Sequence, residues 1–283
     1  MKTQIESFKL NLISLSKSPN TIRNYISDVN HYFKVFNVIN RENILKYKGL
    51  INNFSVSTIN CKLSALKSFN EYLLEKGLVS SIVILKSDFI KKQSDGNPTD
   101  VTEKQVNYFL KRVREKDHIY KSRNIAIIYL IANTGIRREE STNIKLKDLD
   151  LENGELLITK GKGNKQRIVL LNDIAIKVLK YWLKDRNRFK YAAKSPYLFV
   201  SERSEKLHKD SINDIFEYYY TPKCRVKVHS LRHNFASITQ EQGILTLPEL
   251  QNQLGHSSIS TSGLYAHARK DNIKKKINKM QIG

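Results

Sequence analysis

The 283-residue chain carries 49 Lys and Arg against 27 Asp and Glu, a formal net charge of +22. That length fits two domains, the 40% apolar content suffices for true cores, and the basic excess favours a polyanionic partner, although part of it fits the Lys-, Asn- and Ile-rich composition of an AT-rich genome. Two cysteines, Cys61 and Cys224, build neither a disulfide framework nor a CxxC pair, which excludes a small secreted scaffold, a zinc ribbon and a thiol-redox centre. The longest apolar run, residues 125–132, is too short for a bilayer, and the first ten residues lack the apolar stretch of a secretory signal. An intracellular, soluble protein follows, with the cytoplasm and its nucleoid as the expected location and no membrane partner.

The first element in chain order starts at Ser18-Pro19-Asn20-Thr21, where a hydroxyl and an amide stand beside a Pro suited to a first helical turn. Ile22, Tyr25, Ile26, Val29, Tyr32, Phe33 and Phe36 then recur at helical spacing. Residues 57–76 repeat the pattern through Ile59, Leu63, Leu66, Phe69, Leu73 and Leu74, and Gly77 reads as its stop. Residues 1–91 thus predict a small helical bundle. The stretch 92–100, KQSDGNPTD, has loop chemistry and marks the boundary. Positions 1–95 hold 14 basic and 7 acidic residues and the remainder 35 and 20, so both halves are basic and can share one polyanion.

Beyond the boundary, Thr99 to Glu103 reads as a capped start of a helix to about residue 114, and a buried helix follows over 122–134. Leu156, Leu157 and Ile158, a Gly-rich basic tip over 160–165, and Ile168, Val169 and Leu170 predict a β-hairpin. Helical patterns resume over 174–190, 209–220, 230–241 and 247–254, and a basic helix is expected at 269–279.

Four segments can carry chemistry. In Thr134-Gly135-Ile136-Arg137-Arg138-Glu139-Glu140, an Arg follows a helix end and can aim its fork at an anion, with Glu140 holding it from below; a plain helix–helix turn explains the segment about as well. Lys162 on the hairpin tip can reach a phosphate or protonate a leaving oxygen, though a solvated turn is the commoner meaning of such a tip. His229 and Arg232 share a helical face, a proton carrier beside a charge neutraliser. His229 and His233 have metal-ligand spacing, but the Glu of HExxH is absent and Arg232 opposes a cation. The fourth segment runs from Leu254-Gly255-His256-Ser257 to Tyr265.

Taken in order, these pieces resemble the tyrosine recombinase (phage integrase-type) family, Xer-like and two-domain. Ser18 to Tyr25 and Ser57 to Leu66 resemble its helical, SAM-like core-binding domain. The resemblance implies a mainly α fold with a small antiparallel β-sheet in the catalytic domain. It divides the chain into a core-binding domain over 1–92, a linker over 93–99 and a catalytic domain over 100–283, with 269–283 as a C-terminal helix for contact with another protomer. Tyr265 then resembles the nucleophile, which leaves a 3′-phosphotyrosyl link and a free 5′-hydroxyl. Arg137 and Arg232 grip the scissile phosphate, Lys162 protonates the 5′-oxygen, His229 moves a proton at the tyrosine and His256 hydrogen-bonds the phosphate. Glu140 and His233 support them. No metal and no cofactor are expected, because two Arg, a Lys and two His supply the charge and the covalent link conserves the bond energy. The implied partners are double-stranded DNA with specific recombination sites, clamped between the two domains, and three further copies of the chain, as a tetramer resolving through a Holliday junction. A type IB topoisomerase-like enzyme, a non-catalytic DNA-binding protein and a metal nuclease are the competing readings.

Overall fold

A computed structural model describes residues 1–91, 101–159, 166–255, 273 and 275–279. The chain forms two compact units, Met1–Gly96 and Asn97–Gly283.

Among its described residues, the first unit holds the α-helices α1 (Lys2–Ser14), α2 (Pro19–Phe33), α3 (Arg41–Leu50) and α4 (Val56–Glu75). Local chemistry sets their ends. Ser18 Oγ accepts from the Thr21 amide at 3.1 Å with Pro19 in the first turn, and Ser55 repeats the cap on Thr58 at 3.2 Å. Gly77, at φ +66°, turns the chain away after α4. Phe8, Leu12, Tyr32, Tyr47, Leu66 and Phe69 pack the core between the helices. Asp88 ties the end of the unit back to α3, accepting from Arg41 and from Lys48 at 3.0 Å.

The second unit opens with α5 (Glu103–Glu115), capped reciprocally by Thr102 and Gln105. Its centre is α6 (Lys121–Thr134), in which all but Lys121 and Ile125 are buried. A short α7 (Arg138–Asn143) leads to an antiparallel sheet of β1 (Leu149–Asp150), β2 (Glu155–Ile158) and β3 (Arg167–Leu170), ordered β1-β2-β3. The register pairs Leu156 with Val169 and Ile158 with Arg167. The helices α8 (Asp173–Arg186), α9 (Lys209–Tyr218), α10 (Val228–Glu241) and α11 (Leu247–Leu254) follow. The architecture is thus mainly helical with a small antiparallel sheet, as the sequence implied.

Two local expectations need correction. The helix expected over 174–190 stops at Arg186, whose buried guanidinium donates to the carbonyls of Ala192, Ser195 and Tyr197 and wraps the following turns around itself. The hairpin carries a third strand, β1, too short to leave a period in the sequence. Within the expected C-terminal helix, Ile277 is buried in the core of its own unit. Beside it Asn278 exchanges hydrogen bonds with Asp173 at the start of α8, both at 2.9 Å.

Candidate active site

The buried helix α6 ends at Gly135, in the left-handed region at φ +64°. A Cβ there would lie 2.6 Å from Leu254 Cδ2 and 2.8 Å from Phe235 Cδ1, so α6, α10 and α11 converge on a position that admits no side chain. Two residues later comes Arg137. Its amide donates to Glu140 Oε2 at 2.8 Å and its Nη1 to Glu140 Oε1 at 3.0 Å. The guanidinium also donates to the carbonyls of Leu254 at 3.3 Å and Gly255 at 3.1 Å.

Arg232 arrives from α10. Its Nη2 donates to the same Leu254 carbonyl at 2.9 Å and its Nη1 to the Gly135 carbonyl. Two arginines distant in sequence thus share one carbonyl oxygen. That oxygen belongs to the last turn of α11, where helix carbonyls lack intrahelical partners and carry partial negative charge. The helix end therefore gathers and orients the two cations.

Glu140, its side chain 3% exposed, lies beneath them. It accepts from Arg137 and also from Arg167 on β3, Nη1 to Oε1 at 2.9 Å and Nη2 to Oε2 at 2.7 Å. Arg167 Nε donates to the Gln253 carbonyl at 3.1 Å. The Gln253 side chain accepts from the Leu170 amide at 3.1 Å and donates to the Leu170 carbonyl at 2.9 Å, so it pairs with the edge of β3 as a neighbouring strand would. Sequence reasoning missed Arg167 and Gln253. The available signal was an arginine at the root of the hairpin, on a strand whose other residues are apolar.

Charge state follows from this packing. Burial lowers the Arg232 pKa to about 10, and the neighbouring Arg137 and Arg167 push the same way against the pull of Glu140. Burial opposes ionisation of Glu140, yet the bonds from Arg167 and Arg137 outweigh it and hold its pKa below the ordinary value of 4.5. His229 stands in the first turn of α10, its ring edge-on to His233 with centroids 4.5 Å apart. Partial burial, then His233, Arg232 and Arg137, lower its pKa below 6.5, which favours the uncharged imidazole.

The structure thus brings together Arg137, Glu140 and Arg232, with His229 and His233 on the same helix as Arg232. Lys162, His256 and Tyr265 lie outside the described residues. Among the described residues, no group of three or more His, Cys, Asp or Glu is arranged to hold a metal ion.

A separate helical unit precedes, in the chain, a mainly helical unit with a small sheet, and in the latter two guanidinium forks meet at one carbonyl beside a buried carboxylate. The model of the phage integrase family matches residues 99–272, and that of the phage integrase N-terminal SAM-like domain matches residues 5–77. The chain belongs to the phage integrase family: it is a site-specific tyrosine recombinase, an enzyme that breaks and rejoins DNA.

Among relatives, it is 39% identical over 279 residues to the TnP I resolvase of Bacillus thuringiensis, covering 94% of this chain and 95% of that protein. It is 28% identical over 283 residues to the tyrosine recombinase XerC of Pediococcus pentosaceus, covering 93% and 92%. Among solved structures, the XerH site-specific recombinase bound to a palindromic difH substrate, in a post-cleavage complex, matches with a TM-score of 0.64 and 25% identity, covering 84% of this chain and 73% of that one.

Proposed function

We propose that this recombinase cleaves each strand of its DNA site by attack of Tyr265 on the scissile phosphate. The phenolic oxygen forms a bond to phosphorus as the P–O5′ bond breaks, which leaves a 3′-phosphotyrosyl link. The departing 5′-oxygen keeps the bonding electron pair and takes a proton from Lys162. Arg137 and Arg232 hold the two non-bridging oxygens, on which negative charge grows in the transition state. His229, with its uncharged form favoured, accepts a proton near the tyrosine, and His256 donates to the phosphate. His233 supports the ring of His229, and Glu140 supports Arg137.

The observation that carries this reading is the convergence of Arg137 and Arg232 on the Leu254 carbonyl, at 3.3 and 2.9 Å. Two forks fixed by one oxygen offer a preorganised seat for a tetrahedral anion, and that oxygen lies two residues before His256. Rejoining reverses the attack with a partner strand's 5′-hydroxyl, so a Holliday junction forms within a tetramer of the chain on two sites. Both units contact the DNA chiefly through phosphates, with residues 1–92 as the core-binding domain, 93–99 as linker and 100–283 as the catalytic domain; within 269–283 Ile277 is held by the core of its own unit, and the rest of that segment is what is offered to a neighbouring protomer. Affinity should therefore fall steeply with salt. The reaction takes place in the cytoplasm, on nucleoid or plasmid DNA; no helix among the described residues is long and apolar enough to cross a membrane.

The 39% identity to a resolvase over almost the whole chain favours resolution over integration. The test is a nicked suicide substrate carrying the site. A covalent adduct with the wild type, resistant to EDTA and absent from Tyr265→Phe, supports the mechanism. An adduct formed by Tyr265→Phe, or none by the wild type, overturns it. Plasmid relaxation without recombinant product would instead indicate topoisomerase chemistry.

A further inference from the structure

We propose that Arg167 is a positioning residue for strand cleavage: by occupying Glu140 it prevents Arg137 from closing onto that carboxylate, so Arg137 keeps charge and donors for the scissile phosphate. This inference rests on the phosphate-gripping role assigned to Arg137 above.

The geometry supports a competition. Arg137 and Glu140 are three residues apart, and Arg137 donates to the Glu140 carboxylate from both its backbone amide and its side chain. An isolated pair at this spacing would close into a two-pronged, nearly neutral ion pair. Arg167 intervenes with a parallel fork to both carboxylate oxygens, at 2.9 and 2.7 Å. Arg137 is left with a single guanidinium bond to Glu140, and one carboxylate faces two guanidinium charges. The excess positive charge is expressed on Arg137, because its side chain is 30% exposed whereas that of Arg167 is 7% exposed.

Arg167 is not itself placed to bind DNA. Its Nε and both terminal nitrogens are engaged, by Gln253 and Glu140. It is also locked in position. Gln253 fixes α11 to β3 on either side of the Leu170 peptide group. Gly255, at φ +69°, lies against the guanidinium so closely that a Cβ would stand 2.7 Å from Arg167 Nη1. The chain therefore gives up a side chain immediately before His256 to accommodate a residue that touches no substrate. Arg167 also roots the start of β3 on the carboxylate beneath the phosphate seat.

The test compares the adduct-forming rate of the full chain on two suicide substrates, one natural and one with a neutral methylphosphonate at the scissile position. Wild-type adduct formation on the natural substrate checks the underlying mechanism separately. Arg167→Met should slow cleavage of the phosphodiester by about 100-fold, the size expected for one lost transition-state cation. The loss should be at least about tenfold smaller on the methylphosphonate, which carries no charge for Arg137 to neutralise. Adding Glu140→Gln to Arg167→Met should restore about tenfold, because no carboxylate remains for Arg137 to close upon. Equal losses on both substrates, with no restoration in the double variant, would reduce Arg167 to a packing residue and overturn the proposal, as would an unchanged rate. Should Arg167→Met fail to fold, Arg167→Lys keeps the charge but loses the fork, and the same contrast between substrates decides.

Discussion

Glu140→Gln is the substitution whose consequences the structure constrains most tightly. The carboxylate accepts four hydrogen bonds, one from the Arg137 amide at 2.8 Å and three from guanidinium nitrogens between 2.7 and 3.0 Å. The amide preserves shape and one acceptor oxygen, but its NH2 then faces donors. Removing one partner of a buried ion pair costs about 3–5 kcal/mol. Because the amide oxygen retains part of the network, the lower end applies, about 3 kcal/mol. For a unit of this size, each kcal/mol shifts Tm by about 2–4 °C, so the transition of the catalytic unit should drop by about 6–12 °C, measured by calorimetry at pH 7.

The pH dependence gives the experiment its discriminating power. In the folded chain the Glu140 pKa lies below 4.5, so the folded state keeps the carboxylate charged where the unfolded chain has already taken up a proton. The stabilisation is complete above about pH 4.5 and is lost as pH falls through the folded value. Wild type and variant should therefore differ fully at pH 7 and converge in acid. A difference below about 0.5 kcal/mol at pH 7, or one that persists unchanged down to pH 3, would refute the account of Glu140 as the charged base of the site.

Three further outcomes are expected. Gly135→Ala should lower stability by about 2 kcal/mol in a denaturant titration, because a left-handed φ of +64° coincides with Cβ contacts of 2.6 and 2.8 Å to Leu254 and Phe235; a loss under about 0.5 kcal/mol would contradict that packing. Asp88→Asn should destabilise the N-terminal unit by about 1–2 kcal/mol, discounted because Arg41 and Lys48 are partly exposed, and since the bond from Arg41 holds the Asp88 pKa far below 3.8, the difference from wild type should fade as pH drops below 3.8. The kcat/KM of adduct formation should be flat from pH 8 to 7, with an acid limb whose midpoint lies below 6.5, the direction in which burial and neighbouring cations move His229; a midpoint above 6.5, or an identical limb in His229→Gln, would remove His229 from proton transfer.

The sequence disclosed those features whose cause is local. Ser18 and Thr102 cap helices through residues three positions away, so their signals lie within one turn. Gly135 and Arg137 were legible because a left-handed stop and the next helix start are neighbours in the chain. What escaped was set by partners far apart. Arg167 becomes meaningful only beside Glu140, 27 positions earlier, and Gln253 only beside Leu170, 83 positions earlier. The end of α8 escaped for the same reason, since residues 187–190 continue a helical pattern and only the carbonyls gathered by Arg186 turn the chain. The strand β1, with two residues, has no period to read.

These long-range pairs share a direction that bears on how the site is built. Arg137, Arg167 and Arg232 approach from α7, β3 and α10, and each donates to a carbonyl between Gln253 and Gly255. Three mutually repelling cations can be held this close only if something fixes each one, and the C-terminal end of α11 together with Glu140 supplies that constraint within a buried setting. The same arrangement makes the site responsive to a ligand. Burial, with Arg137 and Arg167 beside it, already lowers the Arg232 pKa, so an incoming phosphate relieves a repulsion that the fold has paid to maintain. On the proposed mechanism, binding energy from the DNA is thereby concentrated on the phosphorus to be attacked, and discrimination between phosphates falls to whatever places one of them against the end of α11.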